Sequence, residues 1–312
     1  MLAVSCTYRT PCTAVGEKGD NQPNNSKNQA AGVTPPRSTL LPVGTSTTAS
    51  SPNHGYWLVS SDGGIFTFGS AQFYGSIGAF QLNRPVIGIT PTADHDGYWL
   101  VASDGGVFSF GDTAFYGSLP GEGFNPAGSG LPDSLNASIV GIVPTGDFGG
   151  YIMVASDGGV FTFGDAKFEG SCPSIGGCSG AAVAVMPDAS GNGYWLVTNT
   201  GHVYAFGDAV SYGSPGPQSA PVTSAVRTTD GKGYWILFSN GVVAPYGDAA
   251  DLGGPTSSVS ASNPATAIFR TDGEGYWVAS ANGSVFTYGS SPYDGGTAGL
   301  HLNGAIIAGT GW

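Results

Sequence analysis

Residues 97–112 read Gly-Tyr-Trp-Leu-Val-Ala-Ser-Asp-Gly-Gly-Val-Phe-Ser-Phe-Gly-Asp, and the opening five-residue phrase occurs six times along the chain with small variations. The copies begin at residues 55, 97, 150, 193, 233 and 275, so that successive copies lie 42, 53, 43, 40 and 42 residues apart. A repeat of about 40 residues with strand-like content is typical of a β-propeller, in which each repeat builds one blade.

The second copy predicts four strands joined by tight turns. Apolar runs occupy residues 86–90, 97–102, 107–110 and 115–118, and Gly and Asp residues separate the later runs. Asp-Gly pairs suit β-hairpins because both residues tolerate the positive φ that a type I′ turn requires. Each repeat is therefore expected to form a four-stranded antiparallel blade.

The distribution of first strands predicts how the two ends of the propeller meet. Copies two to six each follow a short apolar run, whereas residues 45–53 before copy one are polar. The chain ends with a matching run at residues 305–310, which has no repeat after it. We therefore expect this C-terminal strand to pair with residues 55–60 and to close a ring of six blades. The expected domains are an extended polar arm at residues 1–51 and the propeller at residues 52–312.

Composition narrows the class of protein. Of 312 residues, only 10% are charged and 53 are Gly, and the net charge is −12 with nine Lys plus Arg. Nucleic acids and anionic membrane surfaces need basic patches, so we expect neither partner. No apolar run approaches the roughly 18 residues of a membrane span, and Leu2-Ala3-Val4 is too short for the core of a signal peptide. The scarcity of Lys, the abundant small polar residues and the cysteine pattern favour an extracellular or cell-surface location.

The four cysteines form two pairs with the same spacing, Cys6 with Cys12 and Cys172 with Cys178. Two local disulfides are the favoured interpretation in an oxidising compartment. Crossed pairing remains the alternative, and it would link the arm to the propeller or to a neighbouring copy. Zinc binding is disfavoured because the four His are scattered and no C-x2-C spacing occurs, so no metal or cofactor is expected.

The stretch at residues 97–112 resembles a repeat of secreted actinobacterial proteins, in which runs of this unit often accompany cell-wall or peptidase domains. The resemblance covers residues 55 to about 310 and implies a secreted propeller. It implies no catalytic residues, because none are attributed to this unit. Later copies replace the Ser-Asp-Gly-Gly turn, for example with Phe238-Ser239-Asn240-Gly241, and an Asn-Gly turn does the same structural job.

A second likeness concerns the turn Ser60-x-Asp62-x-Gly64, which is similar to the start of the Asp-box of six-bladed sialidase-type propellers. Phe66-Thr67 stands where that box ends in Thr-Trp. A sialidase would also need three converging arginines, and the propeller region offers only Arg84, Arg227 and Arg270. Arg227 and Arg270 occupy equivalent positions in adjacent repeats while Arg84 precedes its strand, so no triad is expected.

Acidic residues recur at fixed positions of the repeat. Asp94, Asp147, Asp230 and Asp272 each lie three residues before the repeat Gly, and Asp112, Asp165, Asp208 and Asp248 follow the Phe/Tyr-Gly pair. We interpret both sets as turn carboxylates that bind their own backbone, rather than as a ring of cation ligands. Ring symmetry would space them apart, and no catalytic residue is therefore predicted.

A binding surface is expected where the repeat is interrupted. Residues 119–138 lengthen the second interval, and the Cys172–Cys178 loop interrupts the third. Both connect the last strand of one blade with the first strand of the next, so both are expected on one face, beside the Ser-Asp-Gly-Gly turns. The candidate binding residues there are Phe124, Asn125 and Leu131.

The arm is polar, and its densest apolar cluster is Leu40, Leu41 and Val43. Such a segment has too little apolar surface to order itself, so contact with its own propeller or with another copy is expected. Three functions remain open. The first is a non-enzymatic structural protein whose arm links copies into a filament or surface layer. The second is a monomeric propeller that binds glycan or cell-wall material, and the third, the least favoured, is a glycan hydrolase.

Overall fold

The computed structural model describes residues 54–216 and 218–312, which form an all-β structure of 18 strands with one short 3₁₀ turn at Pro173–Ile175. The predicted arm at residues 1–51 lies outside the described residues. The same holds for the candidate disulfide and anchor residues that belong to the arm, which are Cys6, Cys12, Leu40, Leu41 and Val43.

The strands fall into three classes that repeat along the chain. The inner strands are β3 (Val86–Pro91), β6 (Ile139–Pro144), β9 (Ala182–Pro187), β12 (Val222–Arg227), β15 (Ala265–Arg270) and β18 (Ile306–Gly311). The middle strands are β1 (Gly55–Ser60), β4 (Gly97–Ala102), β7 (Gly150–Ala155), β10 (Gly193–Thr198), β13 (Gly233–Phe238) and β16 (Gly275–Ser280). The outer strands are β2 (Ile65–Gly69), β5 (Val107–Gly111), β8 (Val160–Gly164), β11 (Val203–Gly207), β14 (Val243–Gly247) and β17 (Val285–Gly289).

Hydrogen bonding groups these strands into six antiparallel sheets of three, each in the order inner, middle, outer. Sheets 2 to 6 consist of consecutive strands, from β3–β5 to β15–β17. Sheet 1 instead combines β1 and β2 with the C-terminal β18, and Trp57 lies opposite Thr310 in its register. The predicted pairing of the C-terminal strand with residues 55–60 is therefore confirmed.

The core lies between neighbouring sheets because the middle strands are buried along their whole length. Between sheets 2 and 3, for example, Trp99 and Val101 pack with Tyr151 and Met153. Six such clusters occur, and one of them joins sheet 6 to sheet 1. The inner strands also contact one another in the order β3, β6, β9, β12, β15, β18 and again β3. The arrangement is propeller-like.

The expected fourth strand of each blade is not formed. Residues 115–118, where it was predicted, contain no strand, and each described sheet has three strands. The backbone there is held by the next sheet instead, because the Tyr151 hydroxyl donates to the Gly117 carbonyl and accepts from the Tyr116 N–H at 3.3 Å. Gly117 has a φ of 131°, and a Cβ at this position would lie 2.7 Å from Phe163. These contacts direct the segment toward the neighbouring sheet and away from its own outer strand.

We call these segments, which follow the outer strands, the outer-edge segments. Their second anchor is a tryptophan of the same sheet, since the Trp99 indole N–H donates to the Ala114 carbonyl at 2.7 Å. Four other middle strands repeat this bond across the same 15-residue separation. Sheet 3 has Ile152 at this position and therefore lacks the donor. Each outer-edge segment thus follows the rim of its sheet without joining the ladder.

The sheets have two ends, which we call the connection face and the Thr/Asp face. The connection face carries the hairpin turns between middle and outer strands, such as 103–106, and the links to the next inner strand. The Thr/Asp face carries the turns between inner and middle strands, at residues 92–96, 145–149, 188–192, 228–232 and 271–274. In sheet 1 this face holds His54 and Trp312, and the Trp312 N–H donates to the Gly55 carbonyl at 3.1 Å.

Candidate functional site

Both interruptions of the repeat lie on the connection face, as the sequence predicts. The Leu119 N–H donates to the Gly105 carbonyl at 3.2 Å, and the Cys172 N–H donates to the Gly158 carbonyl at 3.0 Å. Gly105 and Gly158 belong to the hairpin turns of sheets 2 and 3. The two interruptions are therefore adjacent on the same face.

Two buried leucines anchor the longer interruption, at residues 119–138. Leu119 and Leu135 are 1% and 5% exposed and join the core between sheets 2 and 3. Asn125 organises the loop, since its backbone pairs with Asp133 and Leu135 and its side-chain amide donates to the Pro132 carbonyl at 2.7 Å. Asn125 was predicted as a binding residue, but its amide is engaged inside the loop.

Phe124 and Leu131, the other two predicted binding residues, are partly exposed on this loop. The Phe124 ring packs edge-to-face against Phe161 of the neighbouring sheet 3, with ring centroids 6.1 Å apart. Phe124 therefore bridges two sheets on the connection face while one side of its ring remains accessible to a partner.

The shorter interruption is closed by a disulfide between Cys172 and Cys178. For this pair the local pairing is correct and the crossed pairing with the arm is excluded. Cys172 is buried against Gly158 of the hairpin turn, and the loop then forms the 3₁₀ turn. That turn holds Ile175 outward, with 54% of its surface exposed.

Exposed apolar side chains are distributed unevenly among the sheets. Eleven large apolar side chains of the described residues are exposed, and only Val210 and Val242 belong to sheets 4 and 5. The other nine lie on sheets 6, 1, 2 and 3, which are consecutive neighbours, or on the connections that follow them. We call these nine the apolar arc: Tyr293, Leu300, Phe73, Phe80, Phe115, Phe124, Leu131, Phe168 and Ile175.

Four members of the apolar arc occupy one position of the repeat, two residues before the Gly of each outer-edge segment. They are aromatic in sheets 6, 1, 2 and 3, namely Tyr293, Phe73, Phe115 and Phe168. The same position is Ser211 in sheet 4 and Asp251 in sheet 5. These four side chains were not predicted as a surface, because a single copy of the repeat does not distinguish an exposed aromatic residue from a buried one. Comparing that position across the six copies would have revealed it.

The connections contribute the rest of the arc. Phe80 and Leu300 hold equivalent places in the links that follow sheets 1 and 6, and they are 67% and 60% exposed. The Phe80 N–H donates to the Ile77 carbonyl, and the Leu300 N–H donates in the same way to the Thr297 carbonyl. In both links a Leu-Asn pair follows after one intervening residue. Exposed apolar side chains that are concentrated in one region commonly mark an interaction site, so the apolar arc is a candidate binding surface.

A cavity of about 170 Å³ lies between the inner strands. All six inner strands contribute to its lining, which consists of aliphatic residues and Gly with the hydroxyl side chains Thr223, Ser224 and Thr266. None of the lining residues is ionisable. Ligand pockets usually measure about 300–1,000 Å³, so this space suits a few water molecules better than a substrate.

The Thr/Asp face carries many of the aspartates, and most of the first set bind their own turn as predicted. The hydroxyls of Thr92, Thr145 and Thr228 donate at 2.8, 2.9 and 3.0 Å to the aspartates two positions later. Hydrogen bonds from the backbone and side chain of Lys232 lower the pKa of Asp230 to about 2. Asp272 differs, because its turn is one residue shorter and its carboxylate has no hydrogen bond among the described residues.

The expectation that ring symmetry separates the carboxylates is wrong within a single sheet. The turn of sheet 3 and the end of its outer strand bring Asp147 and Asp165 together, so that both accept from the Thr145 hydroxyl, at 2.9 and 3.0 Å. Both carboxylates are exposed to solvent. Among the described residues, no group of three or more His, Cys, Asp or Glu is placed to hold a metal ion.

The three arginines of the propeller lie on different faces. Arg84 precedes β3 on the connection face, whereas Arg227 and Arg270 end β12 and β15 on the Thr/Asp face. Arg227 and Arg270 therefore hold equivalent positions in their sheets and Arg84 does not. In the part of the chain that the structure describes, no helix is long and apolar enough to cross a membrane.

No protein-family model matches the chain, and no curated protein matches it. Among solved structures, the chain is similar to one described as the crystal structure of BBS1N in complex with ARL6DN, soaked with mercury. The identity is 13% and the TM-score is 0.43, with 72% of this chain and 70% of that chain covered. A likeness at this level carries no argument about function, which has to come from the surfaces described above.

Proposed function

We propose that this protein is a non-enzymatic extracellular structural protein, in which the arm of one copy docks on the apolar arc of the next. The observation that carries the proposal is the concentration of exposed apolar side chains on four of the six sheets. Stability of the repeat does not explain why this position is an exposed aromatic residue in four sheets, namely Phe73, Phe115, Phe168 and Tyr293. The two other sheets have the polar residues Ser211 and Asp251 at the same position.

The proposal treats the six sheets as a closed propeller. Its support is the pairing of β18 with β1, the cluster that packs sheet 6 against sheet 1, and the cavity lined by all inner strands. The hydroxyl of Tyr56 in sheet 1 also donates to the Gly295 carbonyl of sheet 6 at 2.6 Å. Closure pairs the two ends of the repeat array and leaves only the short outer strands as edges, so we expect assembly to use a separate device such as an arm.

The composition of the arm complements the body. Residues 1–53 contain four basic and two acidic side chains, whereas residues 54–312 contain five basic and nineteen acidic ones. Coulombic attraction therefore favours contact between arm and body, and the apolar arc offers a partner for Leu40, Leu41 and Val43. Burying three such side chains contributes roughly 4–8 kcal/mol before the entropy of ordering is subtracted.

The direction of the chain favours docking on a neighbouring copy. The arm joins the body at His54 on the Thr/Asp face, where the imidazole lies 2.9 Å from the Asp294 carboxylate. Phe80, Phe124, Ile175 and Leu300 lie on the connections of the opposite face. An arm that leaves one face and docks on the opposite face of the next copy makes a head-to-tail contact, which extends into a filament unless it closes.

Two features support an extracellular location. Cys172 and Cys178 form a disulfide, and such bonds persist mainly in oxidising compartments. The sequence contains only nine Lys plus Arg, and its polar residues are mostly uncharged. Secretion and display on a cell surface both agree with these features.

Truncation of the arm provides the first test. The full chain is expected to form large assemblies in light scattering and negative-stain microscopy, and residues 51–312 alone are expected to be a folded monomer. Replacing Leu40, Leu41 and Val43 with Ser should also give a monomer. A full chain that stays monomeric at high concentration, with its arm protected from proteases, would show docking on its own body and would overturn the filament proposal.

A complementation experiment tests the receiving surface. The variant Phe80→Ser/Leu300→Ser should lose assembly, whereas the matched control Val210→Ser/Val242→Ser should assemble normally, since these valines are exposed outside the apolar arc. Mixing the arm-defective chain with the arc-defective chain should give a 1:1 dimer and nothing larger, because the pair has one intact arm and one intact arc. Normal assembly of the arc variant would contradict the assignment of this surface.

The exposed outer-edge aromatics favour a second candidate function, a monomeric propeller that binds glycan or cell-wall material. Aromatic faces stack on sugar rings, and Phe73, Phe168 and Tyr293 are all more than half exposed. Sedimentation of residues 51–312 with purified cell-wall glycan tests it. Binding that is lost in a Phe73→Ser/Phe168→Ser variant, together with a monomeric full chain, would favour this function over assembly.

A further inference from the structure

The residue type at the last position of the inner strand differs between sheets, and the proposed assembly does not explain this difference. In every sheet this position lies opposite the Tyr that recurs in the middle strand. The residue is a proline in sheets 2 to 4, namely Pro91, Pro144 and Pro187, and it is Gly311 in sheet 1. In the adjacent sheets 5 and 6 it is Arg227 and Arg270. Two of the five basic side chains of the body are therefore placed side by side on the acidic Thr/Asp face.

The two guanidinium groups converge on Thr229. Arg227 donates through Nη1 to the backbone carbonyls of Thr228 and Thr229, at 3.0 and 2.9 Å. Arg270 donates through Nη1 to the Thr229 hydroxyl at 3.3 Å. These bonds fix both side chains through one terminal nitrogen each, and the remaining N–H groups of the two guanidinium forks make no hydrogen bond to the described residues.

Neither arginine has an ion-pair partner among the described residues. Within the described residues, no carboxylate lies within 4.0 Å of either guanidinium group, although Lys232 on the same face pairs with Asp230 at 3.0 Å. Burial lowers the pKa of both arginines, and the charge of Arg270 lowers that of Arg227 further. Asp188 and Asp230 act on Arg227, and Asp272 acts on Arg270, through attraction at a distance that partly offsets this effect. An anion held directly between the two guanidinium groups would further reduce the repulsion between them.

The surroundings restrict the size and charge of such an anion. Ser224, Ala225 and Thr266 of the same two inner strands line the central cavity, so the arginines lie at its end. On the same Thr/Asp face, the His95 ring of sheet 2 stacks on Trp312 of sheet 1 with centroids 4.1 Å apart, and we call this stacked pair the His95–Trp312 wall. His95 is close enough to Asp272 and Arg270 for both charges to affect its pKa, which burial lowers. The acidic turns around the site oppose a ligand with several negative charges.

We propose that Arg227 and Arg270 form a binding site for a small organic carboxylate with a single negative charge, at the Thr/Asp end of the central cavity. Guanidinium forks match the two oxygens of a carboxylate, and the His95–Trp312 wall suits the apolar or ring face of the same ligand. The site is distinct from the apolar arc, which lies on the outer edge and the connection face. It can therefore exist whether or not the chain assembles.

Isothermal titration of the full chain with glucuronate tests the site, with glucose as the uncharged matched probe. Glucuronate is expected to bind at millimolar or lower concentration at low ionic strength, and glucose is not. Arg227→Gln and Arg270→Gln should each weaken binding about tenfold or more, because each removes charge-assisted hydrogen bonds. The matched control Arg84→Gln removes the same charge on the opposite face and should change binding less than twofold.

Thermal melting of each variant separates binding from a purely structural role. If Arg270→Gln lowers the melting temperature and leaves glucuronate affinity unchanged, the arginines only tie the Thr229 turn and the proposal is wrong. Absence of glucuronate binding to the wild-type chain, or an equal loss in Arg84→Gln, overturns it as well. Inorganic phosphate serves as the competing probe, and tighter binding of phosphate than of glucuronate would reject a carboxylate ligand.

Discussion

Six tyrosines, one in each middle strand, hold the sheets together through single hydroxyl groups. Each hydroxyl donates to the Gly carbonyl of the preceding sheet's outer-edge segment. Tyr98, for example, donates to Gly75 at 2.5 Å and accepts from the Tyr74 N–H at 3.3 Å. The ring of the same residue is buried in the core between sheets 1 and 2, so one side chain contributes both packing and a polar link.

Replacing Tyr98 with Phe should destabilise the propeller by about 1–2 kcal/mol, because it leaves the partly buried Gly75 carbonyl and Tyr74 N–H without their partner and preserves the buried ring. Urea unfolding of the variant measures the loss. Tyr293→Phe is the matched control and should leave stability unchanged, since Tyr293 is 64% exposed. Equal stability of the Tyr98→Phe and wild-type proteins would contradict the role of the hydroxyl.

The same tyrosines predict an alkaline limit to stability. Burial raises the pKa of Tyr98 and of Tyr234 to about 12, whereas an unfolded tyrosine titrates near 10. The folded state therefore favours the neutral phenol, so this stabilisation is complete below pH ~10 and is lost as the pH rises toward about 12. Ultraviolet absorbance should show late ionisation that coincides with loss of the β-sheet circular dichroism. Full ionisation near pH ~10 in a folded protein would contradict the prediction.

At the scale of elements, β18 is the strand on which sheet 1 depends. It pairs with β1 from Tyr56 to Ser60, and its Ile306 is fully buried between sheets 6 and 1. Deleting residues 304–312 removes that pairing, exposes the buried face of β1 and opens an edge. We expect the shortened chain to be unfolded or to melt far below the full chain by circular dichroism. An unchanged melting temperature would show that sheet 1 does not need its third strand.

The disulfide loop is an element of local rather than global stability. Closing the short loop from Cys172 to Cys178 is worth about 2 kcal/mol in the chain-entropy description. Reduction of a chain with Cys6→Ser and Cys12→Ser should therefore lower the melting temperature by roughly 4–8 °C while the propeller stays folded. An oxidised sample of the same chain is the control. Complete unfolding on reduction would show that the loop supports much more than the sheets beside it.

At the scale of the whole molecule, the repeat distributes its carboxylates as turn residues around one face, and this predicts the absence of hydrolase activity. The exposed Asp147 and Asp165 carboxylates converge on the Thr145 hydroxyl, so that the two acidic groups are bound to the same turn. A panel of glycan and peptide substrates should therefore show no turnover. Reproducible activity that disappears in Asp165→Asn, with the fold intact, would revive the enzyme hypothesis.

The positions of the strands and the pairing of residues 305–310 with residues 55–60 could be predicted from the sequence. Both predictions depend only on local patterns, which are the repeated Gly-Tyr-Trp phrase and a C-terminal apolar run that no repeat follows. The missing fourth strand could not, since the Tyr151 hydroxyl that captures Gly117 comes from another repeat 34 residues away. The recurring aromatic position and the equivalent Arg227 and Arg270 can be found in the sequence by aligning the six copies. Their exposure and the convergence of both arginines on Thr229 could not be predicted, because they depend on how neighbouring sheets pack.

The position of His54 has a mechanical consequence. If copies assemble through their arms as we propose, tension would enter each body at His54, directly before β1. Because β1 is hydrogen-bonded to β18 on one side and β2 on the other, a pull along this strand loads both ladders in shear. Many bonds then resist the force together, and β18 passes it on to sheet 6 through the shared cluster. Such a filament is expected to yield by release of an arm before any propeller opens.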